Sequence, residues 1–107
     1  VRFFLFSCRP YHETDQFVFT HANYCWYSKL EEQPSSLLRL ISLDESPPRA
    51  HLNGKMFVVG HTPGPIRDFE FCLCIDTGCG FGGMLTAFEM KQGHIWQVKE
   101  NGEPDAE

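Results

Sequence analysis

No segment of this 107-residue sequence comes near the roughly 20 consecutive apolar residues that a helix needs to cross a bilayer, so neither a transmembrane helix nor a membrane partner is expected. Leu5-Phe6-Ser7-Cys8 behind Arg2 superficially matches a lipoprotein cleavage box, but its apolar run is only four residues long, against about 7 to 15 in a signal sequence. Cys-x-x-Cys pairs are absent, which removes the usual zinc and redox spacings. The five cysteines are odd in number and irregularly placed, unlike a secreted disulfide scaffold, and a reducing cytoplasm is the expected compartment. Basic residues are also scarce: nine Lys and Arg are scattered among fourteen Asp and Glu, for a net charge of −5. Neutralising a nucleic-acid backbone takes clustered Lys and Arg, so nucleic acid is excluded as a partner. There is no internal repeat and no low-complexity segment.

What the chain does have is apolar and aromatic bulk. Its hydrophobic content is 42%, with ten Phe, enough for one small domain burying about 60 to 70% of its unfolded surface. That domain is expected over residues 1–100, with 101–107 as an acidic, fraying tail. Residues 2–8 read as the end of an amphipathic helix, which Pro10 stops in the polar connector 9–15. Runs of β-branched and aromatic residues predict strands over 17–22, 55–60, 70–75, 84–90 and 94–99. Asn53-Gly54 is a turn opening the second of these. Lys91-Gln92-Gly93 turns a hairpin between the last two, so that the last three strands form a meander closing a sheet. Leu37, Leu38, Leu40 and Ile41, behind Pro34 and two serines, predict a helix of about two to three turns over 34–43. Residues 44–50 form a stiff loop after it, and 63–68, with two prolines and a glycine, a surface loop.

Two of the strands run into a histidine: Phe17-Val18-Phe19-Thr20-His21-Ala22-Asn23 and Met56-Phe57-Val58-Val59-Gly60-His61-Thr62-Pro63. A His just past a strand end sits on a rigid element at the sheet's rim, where neutral imidazole can reach a metal ion. The alternative for either is an ordinary buried His bonded to a neighbour.

His21-Ala22-Asn23 resembles the His-Ala or His-Gly motif of the calcineurin-like metallophosphoesterases, in their serine/threonine protein phosphatase branch with its bacterial and phage-type members. Gly60-His61-Thr62-Pro63 resembles the Gly-His-Thr-Pro of that family. Ile75-Asp76-Thr77-Gly78-Cys79 and Phe81-Gly82-Gly83-Met84-Leu85-Thr86-Ala87 resemble the block that follows, in the same order and at similar spacing. The family's Asp-x-His, Gly-Asp-x-x-Asp-Arg-Gly and Gly-Asn-His-Glu motifs normally precede these and do not occur here. The resemblance therefore implies an α/β fold, the C-terminal half of a metallophosphatase β-sandwich with flanking helices and mostly strands in this chain. Its natural partner is the N-terminal half of the same domain. The resemblance also implies that His21 and His61 bind the second of two divalent ions, manganese, iron or zinc, which suit imidazole better than magnesium does. The implied activity is hydrolysis of phosphomonoesters, on phosphoserine or phosphothreonine in proteins or on small phosphoesters, by a water whose pKa the metal pair lowers toward 7. Without the upstream ligands the chain alone is expected to be inactive. Cleavage of symmetrical dinucleoside polyphosphates, and a non-catalytic binding or regulatory role for the same fold, are the alternatives.

The resemblance further implies an Arg between the two histidines that clamps the substrate phosphate bidentately. Arg39 and Arg49 are the candidates. Arg39 is assigned the role, although it lies in Leu37-Leu38-Arg39-Leu40 without the Trp common near the family's Arg, and a solvated helix-face Arg is the competing reading. Asn23 either touches substrate or caps the next segment through backbone hydrogen bonds. Thr62 is expected to brace the His61 loop through its hydroxyl, and Asp76 to accept turn N–H groups. Gly78-Cys79-Gly80-Phe81-Gly82-Gly83 spells G-x-G-x-x-G, but the 24 residues after it read as a hairpin, without the helix and parallel strand a dinucleotide site needs. Cys72, Cys74 and Cys79 are expected to pack in the core, and His12, His51 and His94 to lie at the surface.

Overall fold

Five short strands form one mixed sheet in the computed structural model, which describes residues 7–104. They are β1 (His12–Glu13), β2 (Phe17–Phe19), β3 (Met56–Val59), β4 (Arg67–Asp68) and β5 (Cys72–Cys74), in the spatial order β1-β2-β3-β5-β4. The inner strands β2, β3 and β5 are parallel, while β1 and β4 run antiparallel along the two edges. A second, antiparallel sheet is the hairpin of β6 (Met84–Phe88) and β7 (Ile95–Lys99). Among the described residues, besides a helical Ser7, helix comprises α1 (Ser35–Arg39) and a 3-10 turn at Leu30–Glu32. The result is a mostly-strand domain with little helix, consistent with an α/β arrangement at the level of this chain.

The sheet register explains where the core sits. Val18, Phe57 and Cys72 lie side by side across β2, β3 and β5, with Val59 beside Cys74 two residues further along. Side chains alternate along a strand, so these five share a face, and none is more than 2% exposed. The long β2-to-β3 connection folds over that face and packs Tyr24, Leu30, Leu38 and Leu43 onto it. Tyr24 stacks on Phe57 at 3.9 Å between ring centres and 23° between planes. Burying a ring the size of Phe57 is worth about 1.5 to 3 kcal/mol over leaving it in water. The same burial pushes the Cys72 thiol up to about 12 and raises the Tyr24 phenol, to which the neighbouring Cys72 adds.

The opposite face carries Phe17, Phe19, Val58 and Leu73. The hairpin covers it only in part, through an edge-on contact of Phe17 with Phe88 at 5.5 Å. Between Phe17, Met56 and Leu73 on the sheet and Phe88 and Ile95 on the hairpin a recess of about 690 Å³ remains. Leu85 and Trp96 on the hairpin are each 57% exposed.

Several sequence expectations are corrected. The helix predicted over 34–43 is a single turn: Leu40 leaves helical geometry at φ −124°, and the Leu43 N–H is taken by the Thr62 hydroxyl at 2.9 Å. The predicted meander does not form, because β5 is inserted between β3 and β4 while the hairpin is a separate sheet, tied to the segment after β5 by a Gly78–Met84 bridge. Gly78, Gly80 and Gly82 all take positive φ in the intervening loop and turn the chain away from the sheet. Both polar linkers contain an edge strand. In 9–15, the Thr14 N–H donates to the Phe17 carbonyl and the Phe17 N–H to the Thr14 hydroxyl, folding β1 back on β2; in 63–68, Arg67–Asp68 forms β4. Strands predicted over 17–22 and 70–75 shrink to three residues each. At residues 101–104 the chain turns back on β7, where the Lys99 N–H reaches the Glu103 carbonyl at 2.8 Å and Val98 bridges Pro104. The helix end expected over 2–8 falls at residues 2–6 outside the described residues, as do the last three residues of the tail. Among the described residues no helix is long and apolar enough to cross a membrane.

Candidate functional site

The three parallel strands all end at one rim. His21, His61 and Asp76 each lie two residues beyond the last residue of β2, β3 and β5, and line one shallow cleft with Thr20, Gly60 and Ile75. In open sheets with parallel strands the crevice outside the carboxyl ends is where ligands bind, because the loops diverge there and leave backbone and side chains uncovered.

Local chemistry fixes the two histidines. The His21 carbonyl accepts the Gly60 N–H at 2.8 Å, and the Thr20 hydroxyl donates to the Asn23 carbonyl at 3.0 Å, so the first loop is held to the second and closed on itself. At Gly60 a Cβ would sit in ordinary contact with the His21 carbonyl oxygen at 3.4 Å and the Asp76 Cβ at 3.7 Å, so the three loop ends pack closely there. His61 has φ +67°, and the Thr62 N–H bonds back to the Gly60 carbonyl at 2.8 Å. That combination is a γ-turn of the rare, strained hand, costing about 1 to 3 kcal/mol at a non-glycine residue. The surroundings hold it. The Thr62 hydroxyl accepts the Leu43 N–H, and the Cys74 thiol donates to the Thr62 carbonyl at 3.5 Å.

The two imidazoles converge, with ring centres 5.0 Å apart and planes at 58°. One ion about 2.1 Å from a nitrogen of each ring would put the ring centres roughly 4.6 to 5.3 Å apart, for bond angles of about 90 to 109°. The His61 Nε2 lies 3.0 Å from the Leu40 carbonyl. A carbonyl can only accept, so Nε2 carries the proton and the neutral ring presents its lone pair at Nδ1. Leu40 offers that carbonyl because α1 stops one residue earlier and leaves its terminal oxygens unpaired. The spacing of the ring centres is thus that of two imidazoles sharing one ion, and no more than the spacing is shown. Among the described residues no three His, Cys, Asp or Glu side chains come together as a metal-holding group. Asp76 accepts the Gly78 N–H at 3.1 Å through Oδ1, the turn role expected of it.

The other expected residues divide. Arg39 ends α1 exposed and shares a second concavity with His21. Arg49, the rival candidate, lies over the Trp26 ring at 5.6 Å. Asn23 is 0% exposed; its amide donates to the Ser42 and Ser46 carbonyls and accepts the Tyr24 N–H. Its side chain is engaged by backbone and out of solvent, so of the two roles expected for Asn23 the structure shows backbone bracing, here of the β2-to-β3 connection, and not the substrate contact. His51 is buried, not superficial: Nε2–H donates to the Ser28 carbonyl at 2.6 Å and Nδ1 accepts the Asn53 N–H at 3.0 Å. Cys72 and Cys74 are core residues as expected, but Cys79 is exposed on the glycine loop. That loop's Gly80 and Gly82 N–H groups are already engaged by the Glu100 carboxylate at 3.0 and 2.9 Å, an internal anion where a nucleotide phosphate would have to bind.

Sequence reasoning missed Arg9, Tyr11 and His12, which line the second concavity beside His21 and Arg39. They had been placed in a featureless connector. The alternation of Tyr11 and Glu13 around His12, just before a Thr-Asp turn and an aromatic strand, was the available signal of a returning edge strand.

No known family model matches this chain. No curated protein matches it either.

Proposed function

We propose that this chain is the C-terminal part of a two-metal phosphoesterase domain, with His21 and His61 ligands to one divalent ion and Arg39 the group that holds the substrate's phosphoryl oxygens. The observation carrying the reading is the convergence of two rim histidines, 5.0 Å between ring centres, from adjacent parallel strands. The left-handed backbone at His61 supports it, because strain maintained by the surrounding structure concentrates at functional positions. Two imidazoles alone make a weak site, so the remaining ligands come from protein outside these residues, and the recess between sheet and hairpin offers such a partner apolar side chains of Phe17, Met56, Phe88 and Ile95. When bound, the metal pair would supply a hydroxide nucleophile at neutral pH and polarise the phosphoryl group. His61 presents Nδ1 because Leu40 fixes its tautomer, His21 faces the same cleft, and the Arg39 fork orients a phosphoryl group next to His21. Phosphoserine or phosphothreonine in a protein, or a small phosphomonoester, is the substrate class this serves. The odd, irregularly placed cysteines fit a reducing, cytoplasmic setting.

Titration of the 107-residue chain with Mn²⁺, followed by calorimetry, tests the reading. Weak binding that is lost in both His21→Ala and His61→Ala is expected, together with no hydrolysis of p-nitrophenyl phosphate above the buffer rate. Unchanged metal binding in both variants refutes the ligand assignment. Turnover that disappears in His61→Ala refutes the incompleteness of the site.

A further inference from the structure

Although the chain is acidic overall, the concavity beside the histidine rim is basic. It has a volume of about 400 Å³ and is lined by Arg9, Tyr11, His12, His21 and Arg39 with no carboxylate among its residues. The topology explains how these residues meet. β1 runs antiparallel to β2 with His12 opposite Phe19, so the residues before His12 lie alongside those after Phe19, and Arg9 and Tyr11 reach the His21 end of the sheet. The nearest acid on β1, Glu13, is bonded to Lys55 at 2.7 Å, and Asp15 lines the recess under the hairpin instead. Among the described residues neither Arg9 nor Arg39 is in an ion pair, the salt bridges there being Lys55–Glu13 and Arg67–Asp44. Among the described residues, two guanidinium groups outside any ion pair, a phenol and an imidazole thus line one cavity as a set of donors. The volume lies in the range of a small-ligand site.

We propose that Arg9, Tyr11 and His12 form an anion subsite that continues the Arg39 and His21 position, so that the site takes a compact substrate bearing a second phosphoryl group next to the one held by Arg39. The inference rests on the phosphoesterase reading for the role of Arg39 but not for the existence of the basic cavity. Arg39 and Arg9 then hold successive phosphoryl groups, each by a planar fork that matches two oxygens at once. The Tyr11 hydroxyl and the His12 ring supply single donors between them.

Calorimetric titration of the 107-residue chain in EDTA reads the cavity without any metal. Tripolyphosphate is expected to bind about tenfold tighter than orthophosphate, the difference one additional charge-assisted contact makes. Arg9→Ala should bring tripolyphosphate down to the orthophosphate level while leaving orthophosphate within about twofold, and Arg9→Lys, which keeps the charge but not the fork, should fall between. Arg39→Ala should weaken both anions. Equal binding of the two anions by the wild type, or a tripolyphosphate affinity unmoved by Arg9→Ala, overturns the subsite. So does an Asp hexapeptide that binds as tightly as tripolyphosphate, since that would show a general attraction for acidic chains. Because Mn²⁺ is absent, a failure here with intact metal binding removes only the subsite. A loss of metal binding with this discrimination intact removes only the metal reading.

Discussion

Replacing His61 separates its backbone role from its side-chain role. In His61→Ala the γ-turn at φ +67° remains on a residue with a Cβ, and the 3.0 Å bond to the Leu40 carbonyl is gone. Loss of one partly exposed hydrogen bond costs about 0.5 to 1.5 kcal/mol, so this variant should be less stable than wild type by roughly 1 kcal/mol. His61→Gly loses the same bond but relieves about 1 to 2 kcal/mol of left-handed strain, against about 0.5 to 1 kcal/mol for the greater freedom of glycine in the unfolded chain. The glycine variant should therefore melt above the alanine variant by about 0.5 to 1 kcal/mol, which for a domain of this size is roughly 2 to 8 °C. Metal supplies the second axis. Mn²⁺ at about 100 times its dissociation constant would stabilise the wild type by about 2.7 kcal/mol, and neither variant should respond. The measurement is a set of thermal melts of the three proteins with EDTA and with Mn²⁺. If His61→Gly melts below His61→Ala, the strain reasoning is wrong; if the alanine variant keeps the full Mn²⁺ shift, His61 is not a ligand.

Two further expectations concern the scaffold. Cys72 binds its proton up to about 12 in the folded protein because burial disfavours the thiolate, whereas in the unfolded chain it titrates at about 8.5. The folded state then holds more protons than the unfolded one between those values, so stability present at neutral pH is lost as pH rises through that window, with a slope approaching about 1.4 kcal/mol per pH unit. Urea unfolding of wild type and Cys72→Val at pH 8, 9.5 and 11 should show a shallower decline in the variant, and parallel declines would refute the assignment. Tyr24 is raised in the same direction, so part of the slope should survive in Cys72→Val. At Gly83 a Cβ would collide with the Thr77 carbonyl. Gly83→Ala should cost about 1 to 3 kcal/mol of stability in urea, and a neutral result would show that the glycine loop is free to shift.

The parts of the fold that the sequence disclosed are those in which a local pattern and a long-range pairing agree. Phe17-Val18-Phe19 and Met56-Phe57-Val58-Val59 are strands by propensity, and the sheet uses them as its parallel centre. The two histidines were visible because each follows such a run in a recognisable short motif. What could not be read depends on partners far along the chain. Leucine spacing over 34–43 favours more helix than forms: the Ile41 N–H turns to the Ser36 carbonyl, ending the ladder, and Thr62, 19 residues beyond Leu43, takes the Leu43 amide. His51 looked like a loop histidine because nothing nearby in sequence signals Ser28, whose carbonyl it reaches from 23 residues away. Arg9 and His12 escaped notice for the same reason: two-residue edge strands carry too little pattern to be distinguished from a polar linker, and only pairing with β2 brings them beside His21.

The shortness of α1 is tied to the geometry of the rim. A helix continued through Leu43 would use the Leu40 carbonyl within its own ladder, and His61 would lose the acceptor that sets its tautomer. The ladder ends instead where the Leu40 and Ile41 amides share the Ser36 carbonyl; the Thr62 hydroxyl takes the Leu43 N–H beyond it, while the Thr62 amide closes the γ-turn at His61. Arg39, as the last residue of the truncated helix, is left at the mouth of the basic concavity beside His21. Asn23 fastens the far side of the same segment by donating to the carbonyls of Ser42 and Ser46. Thr62, next to His61, and Asn23, two residues after His21, thus converge on the segment between Ser42 and Ser46 that follows Arg39. Each holds it through backbone, so the positions of His21, His61 and Arg39 are set by one connected group of hydrogen bonds and not by three independent loops.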